Sequence, residues 1–215
     1  MTAWAEPTRE AIAAAADGIV AAPREVPAAV LERIGEQVFR IAWIGHPGEA
    51  EDERLDYLYS YWDNLRHGDS AGLARIDRVD PLDMPKALGN ILLLDAVDGG
   101  FDARYRIYGT NVAERSGHDW SGVLVSEMNR RTRTPYSLFY RATYRAVFVK
   151  GAPLFSHHAS PTWVSSDSWR RLILPIFDAA GRCARFLVGN FPVGHRALSE
   201  EARRRQAEIL GKRQP

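Results

Sequence analysis

Two neighbouring segments of this 215-residue chain carry apolar side chains on both of their faces. In residues 168–177 these are Leu172, Leu174 and Ile176 against Trp169, Ile173 and Phe177, and in residues 183–192 they are Phe186 and Val188 against Leu187 and Phe191. Successive side chains of a strand point to opposite faces, so such strands must be covered on both sides. The sequence Asp178-Ala-Ala-Gly181 joins them as a tight hairpin. The chain therefore needs an antiparallel sheet between two covering layers.

The other elements follow in a fixed order along the chain. Residues 91–97 and 102–109 flank a Gly-Gly turn and are predicted to form an earlier hairpin. Short helical pieces follow over 110–135, and apolar residues then predict a longer helix at about 136–149. Residues 153–159 give the remaining strand. The order is two strands, several helices and three strands, which predicts an α+β fold with a five-stranded antiparallel sheet.

The two covers of that sheet are expected to come from different parts of the chain. The helices inserted between the second and third strands must pack on one face. The other face needs the amphipathic helices at 26–66 or a second copy of the protein. The main domain is expected at 54–193, from the helix that precedes the first hairpin to the last strand.

Residues 1–53 are predicted to be an N-terminal helical extension. The Ala-rich start, residues 1–25, lacks a steady apolar period, so we expect a frayed helix or partial disorder. Val30, Leu31, Ile34, Val38 and Ile41 then recur at helical spacing, which predicts an amphipathic helix at about 26–44. Another helix is expected at about 54–66. Residues 194–215 should hold a terminal helix, at about 199–211.

Charge and cysteine content narrow the class of protein. The chain has 28 basic and 27 acidic residues, so it lacks the strong positive charge of a nucleic-acid binder. Residues 1–53 are acidic, and the tail with Arg203 to Arg205 is basic. The single Cys183 excludes an intramolecular disulfide and fits a reducing compartment. No apolar run approaches the roughly 18 residues of a membrane span. We expect a cytoplasmic protein without membrane or nucleic-acid partners.

Several short motifs between about 57 and 193 share their order and spacing with a known family. They are Tyr61-Trp62, Ile76-Asp77, Asp80 to Pro85, Arg104 to Thr110, Gly117 to Gly122, Arg171 to Pro175 and the Asp178-to-Gly181 hairpin. In these motifs the chain resembles PAS domains, in particular the small stand-alone PAS proteins of proteobacteria. The resemblance implies a five-stranded sheet that cups a small-molecule cavity beneath the inserted helices.

The resemblance also implies a sensory or regulatory module that binds a ligand or dimerises and then acts on a partner. Only about 20 residues follow the last strand, so we expect no output enzyme in this chain. Haem-binding PAS domains take their iron ligand from the long helix before the third strand, and the helix 136–149 has no His. Flavin photosensor PAS domains place a reactive Cys on an inserted helix, whereas Cys183 begins the last strand. Both cofactor modes are therefore disfavoured, and the cofactor stays unknown.

Polar side chains on apolar strands indicate the candidate ligand site. Arg171 lies among hydrophobic neighbours, and a buried guanidinium needs a partner. It either grips a ligand carboxylate or forms a plain ion pair. Adjacent His157 and His158 point to opposite faces, so they do not chelate one metal ion, and one of them faces the cavity. The candidate ligand-binding residues are Tyr105, Tyr140, Tyr144, His157, His158 and Arg171.

The second strand of the first hairpin also carries an arginine amid hydrophobic residues. By strict alternation, Ala103, Tyr105 and Ile107 share one face, while Arg104, Arg106 and Tyr108 share the other. We expect Arg106 to form a structural ion pair with Asp80 or Asp83, which would fix the segment before the hairpin to the sheet.

Three functions stay open at this stage. The first is a cytoplasmic sensor that binds a small metabolite, anionic if Arg171 grips it, and signals through protein contacts. The second is a ligand-free homodimerisation module with a filled core, built on the sheet face and helix 26–44. The third is a small α+β enzyme with His157 or His158 as base. No nucleophile–base–orienter set is visible, so we expect no enzyme.

Overall fold

The computed structural model describes residues 4–209 and 211. The α-helices are α1 (Arg9–Ala21), α2 (Ala28–Ile34), α3 (Glu53–His67), α4 (Thr110–Ser116), α5 (Val125–Thr132), α6 (Ser137–Lys150) and α7 (Glu200–Ile209). The strands are β1 (Val38–Trp43), β2 (Ile91–Val97), β3 (Asp102–Tyr108), β4 (Leu154–Ala159), β5 (Ser168–Phe177) and β6 (Cys183–Val193). Within these described residues no helix combines the length and the apolar character needed to span a membrane.

All strands belong to one antiparallel sheet with the order β1-β4-β5-β6-β2-β3. The α+β class, the antiparallel sheet and the insertion of helices between the first hairpin and β4 are confirmed. The number of strands was wrong, because the described residues form six strands rather than five. The additional strand is β1, which pairs with β4 at the edge of the sheet.

The helix predicted at about 26–44 is wrong in its second half. The α-helix α2 ends at Ile34, because Gly35 adopts φ 61°, a left-handed backbone that glycine accepts readily. The chain then runs along β4, with Ile41 opposite Ser156. Ile34, Val38 and Ile41 all pack on the same core, so their spacing suited a helix although a glycine and a strand separate them.

The expectation of a frayed or disordered start also differs from the structure. Residues 9–21 form the helix α1, whose Ile12, Ala16 and Ile19 are fully or almost fully buried. Thr8 caps its start, since Thr8 Oγ1 accepts from the Ala11 amide at 3.2 Å. The helix packs against α6, which supplies the tertiary burial that its irregular sequence pattern did not reveal. Residues 1–3, residue 210 of the expected terminal helix and residues 212–215 lie outside the described residues.

Both faces of the sheet are covered within one chain. Helices α1, α2 and α4 to α6 cover one face, and α3 covers the other with Leu55, Leu58 and Trp62. Trp62 Nε1 donates a buried hydrogen bond to the carbonyl of Pro175 at 2.7 Å, which fixes α3 on β5. A second copy is therefore not needed to cover the sheet, and the segment 26–44, which was expected to contribute one helix to a dimer interface, forms α2 and β1 instead.

A β-bulge in β3 changes which side chains reach the cavity. Leu93 pairs with Ile107 and Leu94 pairs with Tyr105, so Arg106 is the extra residue of the bulge. The bulge turns Tyr108 to the same side as Tyr105 and Ile107 to the α3 side. The prediction from strict alternation therefore holds only up to Tyr105.

Arg106 does not form the expected ion pair with Asp80 or Asp83. Its guanidinium Nη1 donates to Asp95 Oδ2 at 2.8 Å, and Asp95 Oδ1 accepts from Arg185 Nε at 2.7 Å. The Arg106 side chain is half-exposed, because the edge strand β3 presents the bulge residue to solvent. Asp80 instead caps the 3-10 turn Pro81–Asp83.

Changing Asp95 to Asn should reduce stability at neutral pH by about 1 kcal/mol, as expected for a partly exposed ion pair. Burial opposes ionisation of Asp95, but the hydrogen bonds and charges of Arg106 and Arg185 outweigh it and hold its pKa below the usual range. A lowered pKa stabilises the fold above the unfolded-state pKa of about 3.9, and this stabilisation is lost as the pH falls through the folded-state pKa.

Urea unfolding between pH 2 and pH 7 tests this expectation, with Asp83→Asn as the matched control. The two stability curves of wild type and Asp95→Asn should converge only at the acidic end. A larger loss in Asp83→Asn than in Asp95→Asn would restore the pairing expected from the sequence.

Candidate functional site

A cavity of about 80 Å³ lies between the sheet and the inserted helices. The β-strands supply its floor, α4 to α6 its roof, and residues 160–167 with the end of α7 part of its wall. Its polar lining residues are Tyr105, Tyr108, Ser116, Thr132, Thr134, Tyr140, Tyr144, His158, Arg171 and Asn190. Its apolar lining residues are Leu92, Val112, Trp120, Met128, Pro161, Trp163, Val164, Trp169 and Ile209. Five of the six predicted ligand-binding residues therefore line one cavity.

Arg171 is the buried cation of this cavity. It projects from β5 with 4% of its surface exposed. Its guanidinium carbon lies 4.6 Å from the ring centre of Tyr144 and 5.5 Å from that of Tyr140, and Nη1 lies 3.5 Å from Thr143 Oγ1. Among the described residues no carboxylate forms an ion pair with it. The plain ion pair that the sequence left open is thus not formed, and two aromatic faces and one weak hydrogen bond hold the charge.

His158 adds a second polar group with an unused atom. It is 1% exposed and lies among the rings of Tyr136, Phe139 and Tyr140, at centroid distances of 5.8, 5.1 and 5.6 Å. Its Nδ1 has no hydrogen-bond partner within the described part of the chain. Burial, assisted by the charge of Arg171, holds the pKa of His158 well below its usual range. The imidazole is therefore neutral at physiological pH and can donate or accept one hydrogen bond in the cavity.

The tyrosines around Arg171 remain protonated donors. Burial raises the pKa of Tyr105, Tyr140 and Tyr144 above the usual range and that of Tyr108 to about 12. Tyr144 Oη forms no hydrogen bond of ordinary geometry with any described residue. Hydroxyl groups in this state can donate to an anion, whereas ionised phenolates would repel it.

His157 lies outside the cavity, which corrects its assignment as a ligand-binding residue. Its Nε2 is 2.9 Å from Ser168 Oγ, and its ring meets the edge of Phe39 at a centroid distance of 4.9 Å. Adjacent side chains of a strand point to opposite faces of the sheet, so only one of the two histidines can face the cavity, and that one is His158. The described residues contain no group of three or more His, Cys, Asp or Glu side chains able to hold a metal ion.

Sequence reasoning missed several lining residues. The bulge in β3 hid Tyr108. Trp120 and Trp163 lie in loops where no periodic pattern gives a direction to the side chain. Asn190 could have been found, because it is a polar residue in an apolar strand and lies directly opposite Arg171. Cys183 is buried at the start of β6, away from the lining, and burial raises its pKa to about 12.

One wall of the cavity is fixed by hydrogen bonds from the C-terminal region. Arg196 Nη2 donates to four carbonyls of residues 160–166, at 2.9 to 3.4 Å. Gln206 on α7 donates to the carbonyl of Trp163 at 3.1 Å, and Arg205 donates to that of Thr132 at 3.1 Å. The helix α7 therefore touches both the loop and the end of α5 beside the cavity.

A family model described as "PAS domain" matches residues 51–189, from just before α3 into β6. No curated protein matches the chain. A solved structure described as "Structure of an RNA-binding Light-Oxygen-Voltage Receptor" superposes with a TM-score of 0.38 at 13% identity. The alignment covers 94% of this chain and 62% of that one, so the chain spans less than two thirds of that structure.

Proposed function

The chain belongs to the PAS domain family, and we propose that it is a cytoplasmic sensor that binds a small anion in the cavity and signals through contacts with another protein. PAS domains are sensory and signalling domains in general. The observation that carries the proposal is Arg171, which is almost fully buried and pairs with no carboxylate of the described residues. A buried charge without a partner costs several kcal/mol, and a bound anion would remove that cost.

The groups around Arg171 support an anion at the same place. The rings of Tyr140 and Tyr144, one turn apart on α6, both lie against the guanidinium and limit the directions of its donors. Tyr144 Oη and His158 Nδ1 are buried and unpartnered, and each can complete a hydrogen bond to a ligand oxygen. Asn190 lies opposite Arg171 on β6 and lines the same cavity. Two unpartnered polar atoms and an amide side chain that line the same cavity as one cation are typical of an anion site.

The signal is proposed to leave the cavity through α7. Ile209 of this helix lines the cavity, and Gln206 bonds the loop that carries Trp163. A ligand that displaces the Trp163 loop would change these contacts and thereby the surface offered to a partner. The enzyme alternative receives no comparable support, because His158 Nδ1 has no acidic partner in the described residues and His157 bonds Ser168.

Native mass spectrometry and a thermal-shift screen of organic acids test the proposed function. A ligand at 100 times its Kd stabilises the fold by about 2.7 kcal/mol. In a protein of this size that corresponds to a rise in Tm of about 5–10 °C. A protein that retains no small molecule and shows no shift with any organic acid would contradict the proposal.

Homodimerisation remains the second candidate function, and one observation favours it. The strand β1 lies at the edge of the sheet, and Phe39 on it is 57% exposed. An open edge strand is a template for pairing with another chain. If two copies pair there, Phe39→Lys should convert a dimer into a monomer in light scattering, whereas Leu82→Lys on the exposed 3-10 turn should not. A wild-type monomer at high concentration would remove this candidate.

A further inference from the structure

The charge of the cavity lining limits the charge of its ligand. No Asp, Glu or Lys is among the lining residues, and Arg171 is the one arginine among them. His158 is neutral and the tyrosines are protonated, as their burial requires. The lining therefore carries a single positive charge. A ligand with one negative charge leaves the interior neutral, whereas a second negative charge would be buried without compensation.

The volume of the cavity limits the size of the ligand. An apolar protein cavity of about 150 Å³ accepts benzene, whereas the cavity beside Arg171 has about 80 Å³. A carboxylate group with one to three further carbon atoms fits this space, and a ring or a longer chain does not.

The apolar part of the lining determines what the rest of the ligand must be. The other lining residues include Val112, Met128 and three tryptophan rings, while the hydroxyls of Ser116 and Thr132 already donate to main-chain carbonyls. These side chains offer contact area to methyl and methylene groups. A ligand hydroxyl or amino group placed against Val112 or Met128 would lose its water without gaining a partner.

We propose that the ligand is a short-chain monocarboxylate of two to four carbon atoms, with its carboxylate on Arg171 and its alkyl group against Val112 and Met128. The inference rests on the proposed function, because it assigns a chemical class to the anion of that same site. It goes further in that it excludes dicarboxylates, phosphate and aromatic acids as the preferred ligands.

Calorimetry and thermal shift with a graded series of anions test the inference, in a carboxylate-free buffer low in chloride. The probes are formate, acetate, propionate, butyrate, hexanoate, benzoate, succinate, phosphate and chloride. Each buried methylene should raise the affinity by about fourfold, so binding should strengthen from acetate to butyrate. Affinity should fall at least tenfold at hexanoate and benzoate, and succinate and phosphate should give no shift.

A variant with an altered cavity wall provides the second test. It compares ligands on the same protein, so the result does not depend on how stable the variant is. Met128→Ala removes three side-chain heavy atoms from the wall and should move the best ligand from butyrate towards hexanoate or benzoate. Met84→Ala removes the same atoms on the α3 side of the sheet, outside the cavity lining, and should leave the preference unchanged. A preference that does not move in Met128→Ala would overturn the placement of the alkyl group.

The outcomes separate this inference from the proposed function. If succinate, phosphate or benzoate binds best and binding requires Arg171, the sensor stands and the monocarboxylate assignment is wrong. If chloride or formate binds as tightly as propionate, the cavity recognises charge alone and the assignment is again wrong. If no anion shifts the Tm, the proposed function fails together with the inference.

Discussion

Replacing Arg171 with methionine is expected to abolish the response to anions while raising the stability of the ligand-free protein. Loss of one partner of a buried charge pair costs about 2–5 kcal/mol in binding, which is roughly a 30-fold to several-thousand-fold loss of affinity. An apolar side chain of similar length removes a buried charge that no described carboxylate neutralises. Replacing buried charges by packed hydrophobic residues stabilises proteins by up to about 4 kcal/mol. The two effects have opposite signs, which a simple folding defect would not produce.

The measurement is a pair of thermal melts, with and without the best anion of the screen. Arg182→Met is the matched control, because that side chain is 78% exposed in the β5–β6 turn. It should leave both the Tm and the anion response unchanged. A lower Tm in ligand-free Arg171→Met than in wild type would show that the guanidinium has a structural partner within the protein. That result would contradict the proposal that Arg171 binds an anion.

Leu58→Ala is expected to give the largest loss of stability of the variants considered. Leu58 is fully buried between α3 and the sheet, and truncation of a buried leucine costs about 2–5 kcal/mol. For a chain of this length the Tm should fall by roughly 4–20 °C. The anion affinity should not change, because Leu58 lies on the face of the sheet opposite the cavity.

Leu82→Ala is the control for this prediction, since Leu82 is 75% exposed and its truncation should change stability by at most about 0.5 kcal/mol. Equal effects of the two substitutions would contradict the position of α3 as the cover of the sheet. A second copy of the protein would then be the better candidate for that cover.

Much of the sheet follows from the sequence because its strands are apolar on both faces. That pattern predicted β5 and β6 and the need for two covers, and the helix expected at 54–66 supplies the second one as α3. The strand β1 was not predicted, because Ile34, Val38 and Ile41 share a core whether the chain is helical or extended. Two features make this segment extended rather than helical: the left-handed backbone at Gly35 and the pairing of β1 with β4. The pairing is a tertiary contact, so the local sequence does not reveal it.

The candidate site was predictable where a polar residue interrupts an apolar strand. Arg171 was found in this way and lines the cavity, whereas strand alternation predicted that one of His157 and His158 faces the cavity without deciding which. Arg106 followed the same rule and was misplaced, because it is the extra residue of a bulge on an edge strand and reaches solvent. The local sequence of β3 gives no sign of this bulge. Because the bulge reverses the alternation after Arg106, the position of Tyr108 on the cavity side was not predicted either.

A crystal structure of the protein grown with the tightest-binding anion tests the central claim most directly. The account predicts electron density for the anion inside the cavity, with an oxygen about 2.7–2.9 Å from a guanidinium nitrogen of Arg171. Density for a carboxylate side chain of the protein itself on that guanidinium, with the cavity filled by neighbouring side chains, would contradict it.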